Sequence, residues 1–214
     1  MITIINYDAG NIRSVQRACS EIGVKSVIAS HPKTVLDAER IIFPGIGAAT
    51  SAMQYMKRTK LDVAFRHAFE NGIPILGICL GAQIILESSE EGNQTCLGLI
   101  SGKTLRFKLS DILLKIPHIG WNEVRVVQSH PLLDGIKKGD EFYFVHSFYP
   151  HPTEGNNIYA VTHYGNDFCS AVGCRNLFAT QFHPEKSGRF GLQLLERFVM
   201  WDGVISTKST KSER

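Results

Sequence analysis

The chain of 214 residues has no apolar run long enough to span a bilayer, so an integral membrane class is not expected. It begins Met1-Ile2-Thr3-Ile4-Ile5, without the basic flank of a secretory signal. Charge is sparse too. Only 20% of residues are Asp, Glu, Lys or Arg, the formal net charge is +3, and no long basic run precedes the tail. That balance gives no argument for nucleic acid or a membrane surface as partner. The five cysteines, odd in number and irregular in spacing, argue against a disulfide framework. Cys169 and Cys174 lack the spacing and companion ligands of a zinc knuckle, so no metal or cofactor is expected. There is no internal repeat and no phosphate-binding loop. These absences leave a cytoplasmic, reducing setting in which a free thiol persists. A hydrophobic content of 43% over this length suits one core.

Against that background one segment stands out. Gly77-Ile78-Cys79-Leu80-Gly81 follows the apolar run Ile73-Pro74-Ile75-Leu76 and precedes a helical-looking Ala82–Leu86. This is the thiol version of the strand–turn–helix nucleophile elbow, with Cys79 at the apex. The flanking glycines are expected to permit a tight turn and keep the sulfur uncrowded. The helix N-terminus is expected to favour thiolate. A lone cysteine is ordinarily a packed core residue; the glycines and the strand-to-helix context are what point to a nucleophile. Such a nucleophile needs a base, and the base needs an orienter. In Leu177-Phe178-Ala179-Thr180-Gln181-Phe182-His183-Pro184-Glu185 a short apolar strand runs up to His183, Pro184 stops it, and Glu185 lies within reach of the imidazole. A carboxylate there fixes the tautomer and supports imidazolium.

The rest of the chain alternates in a way that predicts an open, mostly parallel twisted sheet flanked by helices. Strands are expected at Ile2–Tyr7, Val27–Ala29 and Ile41–Phe43. Ile12, Val15, Cys19 and Ile22 recur at helical spacing, with Gly23 as the stop. Helices are expected at Ala48–Lys57, Leu61–Glu70 and Gly188–Trp201. From Leu97 to Phe182 short β-like runs dominate, with a hairpin at Tyr164-Gly165-Asn166-Asp167, predicting an antiparallel section of the same sheet. One domain over 1–201 is expected, followed by a polar, disordered tail over 202–214.

The elbow and the His-Pro-Glu segment together resemble the triad glutamine amidotransferases, the class I glutaminase family. Pro117-His118-Ile119-Gly120-Trp121-Asn122, Tyr143-Phe144-Val145-His146-Ser147 and Gln181–Ser187 look like one branch of it, the glutaminase subunits of imidazole glycerol phosphate synthase. The likeness covers residues 1 to 201. The first turn, Asn6-Tyr7-Asp8-Ala9-Gly10-Asn11, and Ala82 depart from that branch's usual residues. The resemblance implies the class I glutamine amidotransferase fold and a Cys79–His183–Glu185 triad that hydrolyses L-glutamine. Oxyanion donors would be the Leu80 N–H, directly after the nucleophile, and the Ile46 N–H in Pro44-Gly45-Ile46-Gly47. Gly45, Gly47, Gln83, Glu91, His146, Ser147 and Phe148 would hold the glutamine, with Glu91 suited to its α-ammonium. Trp121, Tyr143 and Lys186 would lie at the partner interface near an ammonia exit. Asn122 and His118 are expected only to form a local turn. Free ammonia is mostly protonated in neutral water, and no acceptor domain remains in the chain. The implied partner is therefore a (β/α)₈-barrel cyclase subunit, in a heterodimer serving histidine biosynthesis. The alternative is a paralogue that feeds ammonia to amidation of a nucleotide-activated sugar.

Overall fold

The computed structural model describes residues 1–7 and 11–205; Asp8-Ala9-Gly10 of the expected first turn and residues 206–214 of the expected tail lie outside the described residues. Along the chain run β1 (Ile2–Ile5), α1 (Ile12–Glu21), β2 (Ser26–Ala29), α2 (Pro32–Leu36), β3 (Ile41–Phe43), α3 (Ala49–Thr59), α4 (Leu61–Glu70), β4 (Ile75–Ile78) and α5 (Leu80–Ile84). Then come β5 (Ser88–Ser89), β6 (Gln94–Thr95), β7 (Gly102–Arg106), β8 (His118–Glu123), β9 (Arg125–Val126), β10 (Glu141–His146) and β11 (Phe148–Pro152). The chain continues through β12 (Ile158–Tyr164), β13 (Asn166–Cys174), β14 (Leu177–Thr180) and α6 (Gly188–Met200).

Among the described residues the main sheet has eight strands in the order β2-β1-β3-β4-β14-β13-β12-β9. The first five are parallel; β13, β12 and β9 extend the sheet antiparallel. The parallel strands read as unbroken apolar runs because both faces are covered. Ile5, Ile41, Phe43, Ile75 and Ala179 point to a cluster that packs under α2, α3 and α4. Ile2, Ile4, Ile42, Leu76, Ile78 and Phe178 point the other way, toward α1 and α6. Each fully buried aliphatic or phenyl side chain contributes about 1.5–3 kcal/mol of burial. Successive strand residues thus serve opposite cores.

Several expectations need correcting. β1 ends at Ile5 rather than Tyr7, and the Tyr7 hydroxyl instead donates to the Pro44 carbonyl at 2.5 Å. The short α2 was not anticipated; it is only five residues long, begins at a proline and carries little periodic signal. α5 starts at Leu80 and has ended by Ile85, where a helix over Ala82–Leu86 was expected. The antiparallel section is only partly on the main sheet. β8 and β10 form a separate pair, and β11-β7-β5-β6 form a third sheet. His118 and Asn122 are not in a turn: they belong to β8, opposite His146 and Phe142 of β10. The hairpin at Gly165 is present, with Tyr164 paired to Asn166 and Gly165 at φ +72°.

Candidate active site

The strands of a parallel sheet deliver their C-terminal ends to one edge, and ligands bind there. Here β3 leads to Pro44-Gly45-Ile46-Gly47, β4 to Cys79, β14 to Gln181–Glu185, and β1 to Tyr7. Four segments far apart in sequence meet because their strands are neighbours.

Cys79 caps α5 with φ 53° and ψ −103°, an uncommon conformation for a residue with a side chain. The positive φ falls on the cysteine and not on its glycines. Those glycines do a different task from the one the sequence suggests. A Cβ on Gly77 would sit 2.8 Å from the Ala179 Cβ, and one on Gly81 would sit 2.0 Å from the Phe43 carbonyl oxygen. They let the elbow press against the adjoining strands, and clearing space around the sulfur is secondary. α5 spans five residues, so the aligned dipole behind the thiol is that of little more than one turn.

His183 Nδ1 lies 2.8 Å from Glu185 Oε1, with both side chains 1% exposed. Asn11 Nδ2 donates to the same carboxylate oxygen at 2.6 Å. Since the carboxylate accepts, Nδ1 carries a proton and Nε2 is left for Cys79. Burial pulls the His183 pKa down, but the Cys79 thiolate and then Glu185 outweigh it, pushing it up to about 10. The imidazolium form is thereby favoured at neutral pH. The His183 segment is tied to β10: Tyr143 accepts from His183 N at 2.9 Å, and Ser187 Oγ links Tyr143 N to the His183 carbonyl.

The two expected oxyanion donors are placed unequally. The Leu80 N–H donates to the Gly45 carbonyl at 3.2 Å. The 45–46 peptide is trans, so the Ile46 N–H points opposite to that carbonyl, away from Leu80. Gly45 is wedged against Tyr7: a Cβ there would lie 1.5 Å from the Tyr7 hydroxyl oxygen. Gly47, at φ +113°, takes a conformation that favours glycine.

A cavity of about 390 Å³ opens over Cys79. Of the expected residues it brings together Ile46, Gly47, Leu80, Gln83, Glu91, Tyr143, His146, Ser147, Phe148 and Lys186. Gly45, His183, Glu185 and Trp121 do not line it; the first three support it from behind. A roomier cleft of about 500 Å³ beside Arg125 and Lys138 has neither cysteine nor serine in its lining and lies away from Cys79. Gln83 is no surface amide: it is buried and donates to the Phe148 carbonyl and to Gln181. Glu91 is engaged at α3, where its Oε2 accepts from Ala49 N at 2.7 Å.

Trp121 stands 54% exposed rather than in a core, edge-on to Tyr143 at 6.1 Å. Lys186 Nζ lies over the Tyr143 ring, 5.6 Å from its centre. With Ile119 also exposed, this makes an apolar, lysine-topped face beside the cavity.

Two contacts escaped the sequence reading. Asn11 reaches Glu185 from the first turn, and Gln181 Nε2 lies 3.6 Å from Cys79 Sγ. The signal for Gln181 was present: two residues before His183 at a strand end, it shares that residue's side of the chain.

Among the described residues no helix is long and apolar enough to cross a membrane. The model of the family "Glutamine amidotransferase class-I" matches residues 3–201. The imidazole glycerol phosphate synthase subunit HisH of Dehalococcoides mccartyi (strain CBDB1) is 44% identical over 92% of this chain and 96% of that protein. Its namesake from Methanosarcina acetivorans is 46% identical over 92% of this chain and 97% of that one. In fold, a crystal structure of a glutamine amidotransferase superimposes with a TM-score of 0.71 at 18% identity, covering 95% of this chain and all of the other. PurLQS from Thermotoga maritima does so with a TM-score of 0.71 at 22% identity, over 93% and 97%. The chain belongs to the class I glutamine amidotransferases, among the glutaminase subunits of imidazole glycerol phosphate synthase.

Proposed function

We propose that Cys79, His183 and Glu185 carry out this subunit's hydrolysis of L-glutamine. The observation that supports this most is the buried His183–Glu185 pair, 2.8 Å apart, coupled to a cysteine on a strained elbow at the mouth of a cavity. The Cys79 thiolate adds to the side-chain carbonyl carbon. His183 passes its Nε2 proton to the departing nitrogen, which leaves as ammonia. His183 then takes a proton from water as that water opens the thioester and releases glutamate. Glu185, steadied by Asn11, keeps the ring in the tautomer that does this. The Leu80 and Ile46 N–H groups meet the oxyanion once the 45–46 peptide has turned. Glu91 and Gln83 face the α-amino end, while Gly47 and the Ser147–Phe148 backbone border the same space.

The ammonia passes to a (β/α)₈-barrel cyclase on a separate polypeptide, docked on the face of Trp121, Tyr143 and Lys186. The cyclase would complete imidazole glycerol phosphate and aminoimidazole-carboxamide ribotide for histidine biosynthesis. Supply to a nucleotide-activated sugar is not favoured, because relatives from 42% to 46% identical carry the synthase's name. The test is Cys79→Ala in the assembled complex. Glutamine-dependent product should vanish while product from added ammonium salt at raised pH remains; retained glutamine turnover would sink the assignment.

A further inference from the structure

A glutamine side chain can offer a neighbour either an N–H or an oxygen, and only the N–H helps a thiolate. Gln181 is fully buried beside Cys79, so the face it shows matters. That face is decided by hydrogen bonds that start from one backbone carbonyl on another strand, Phe148 of β11, and run through Gln83. The Phe148 carbonyl can only accept. Gln83 Nε2 lies 2.9 Å from it, so the Gln83 amide must turn its nitrogen that way. The same nitrogen lies 3.1 Å from the Gln181 amide, which must therefore answer with Oε1. Gln181 Nε2 is then left facing Cys79 Sγ at 3.6 Å.

A second branch reinforces the anchor. His146 Nδ1 lies 2.7 Å from the same carbonyl and must donate, so in the neutral ring Nε2 accepts. His118 Nδ1 donates to it at 3.0 Å, and Asn122 Nδ2 donates to His118 Nε2 at 3.2 Å. Burial holds both rings neutral, His146 at about 3 and His118 at about 4. The carbonyl's two lone pairs are thus both occupied, which leaves neither branch free to reverse.

We propose that Gln181 is a further catalytic residue that donates an N–H to the Cys79 thiolate, its direction imposed by the Phe148 carbonyl through Gln83. This rests on Cys79 being the nucleophile. Gln83, His146, His118 and Asn122 are positioning residues for that bond. Both N–H bonds of Gln83 are spent inside the protein, so it meets glutamine with its oxygen, which suits an α-ammonium. The ionisable groups facing or near Cys79 are His183 with Glu185 behind it, Tyr7, and across the cavity Tyr143, His146, Glu91 and Lys186. Gln181 differs from them in being neutral at every pH, so its effect is a displacement of the thiol's titration and not a new titration.

The experiment reads thiol ionisation, independently of turnover. The full chain is treated with iodoacetamide across a pH series, and modification of Cys79 is followed by mass spectrometry. Gln181→Met keeps the length and loses the N–H. Its Cys79 midpoint should rise by about one pH unit, tenfold in the thiolate–thiol equilibrium, as loss of one charge-assisted hydrogen bond implies. Gln83→Met, which frees Gln181 to turn either way, should raise it by less. An unchanged midpoint in a Gln181→Met protein with wild-type circular dichroism overturns the proposal. If that variant does not fold, the unmutated protein decides. The Gln181 side-chain amide resonances should move as Cys79 titrates and stay flat in Cys79→Ala; resonances flat in both proteins overturn it. If Cys79→Ala kept hydrolysing glutamine while these shifts appeared, the nucleophile assignment would fall and the Gln181–Cys79 bond would stand.

Discussion

The Leu80 N–H, directly after Cys79 in the chain, is bonded to the Gly45 carbonyl at 3.2 Å. An oxyanion cannot use that N–H until the bond opens. Rotating the 45–46 peptide would free Leu80 and swing the Ile46 N–H inward in one motion. The purified chain is therefore expected to be a weak glutaminase. Addition of the cyclase and its acceptor ligand should raise the rate by roughly 10² to 10³, the worth of an oxyanion donor. The partner must bind the turned state more tightly to do this. Glutamine hydrolysis with and without partner measures it, and full activity from the isolated chain would exclude the switch.

The thiols other than Cys79 should be inert near neutral pH. Burial pushes Cys19, Cys96 and Cys174 up to about 11 and Cys169 up to about 12. A glutamine-like electrophile at pH 7 should label Cys79 first by a wide margin. Replacing any of the other four by alanine should cost stability through packing and leave catalysis intact. Peptide mapping of the labelled protein decides, and early label on Cys169 would count against it.

The His183 proton should contribute to stability in one pH window. Its folded-state value, about 10, lies above the ordinary 6.5, so the folded protein holds the proton more tightly than the unfolded chain does. The stability it adds is complete below 6.5 and is lost as pH rises toward about 10. Denaturation midpoints between pH 7 and 10 should therefore fall more steeply in the wild type than in Cys79→Ala, which lacks the strongest raising partner. Equal slopes would mean that the thiolate does not hold this proton.

Removing the charge from the orienter should hurt less than removing base or nucleophile. By analogy with serine triads, Glu185→Gln is expected to lose on the order of 10⁴ in kcat, and His183→Ala or Cys79→Ala on the order of 10⁶. Steady-state glutaminase assays of the assembled complex order the three. A silent Glu185→Gln would show that another acid orients the ring.

Trp121 is expected to be an anchor for the partner. It is half exposed and braced by Tyr143, the setting of an interface hot spot. Trp121→Ala should weaken association by about 30-fold, corresponding to about 2 kcal/mol. Alkylation of Cys79 in the isolated chain should be unaffected. Titration calorimetry with the cyclase is the measurement, and undiminished binding would place the interface elsewhere.

The amino-acid sequence by itself determined the parallel strands and the longer helices between them, and it singled out the residues proposed as nucleophile, base and orienter. These are local matters: an apolar run, a helical period, a glycine-flanked cysteine, a histidine stopped by proline two residues before a carboxylate. It did not reveal why Gly77 and Gly81 must be glycine, because Ala179 and the Phe43 carbonyl come from other strands. Nor could it raise His118 and Asn122 above a local turn, since their partners His146 and His163 lie on separate strands. The closed Leu80–Gly45 bond and the direction of the Gln181 amide are likewise tertiary facts. Hydrogen-bond polarity is settled by which donor meets which acceptor in space, and periodicity along one strand carries no information about that.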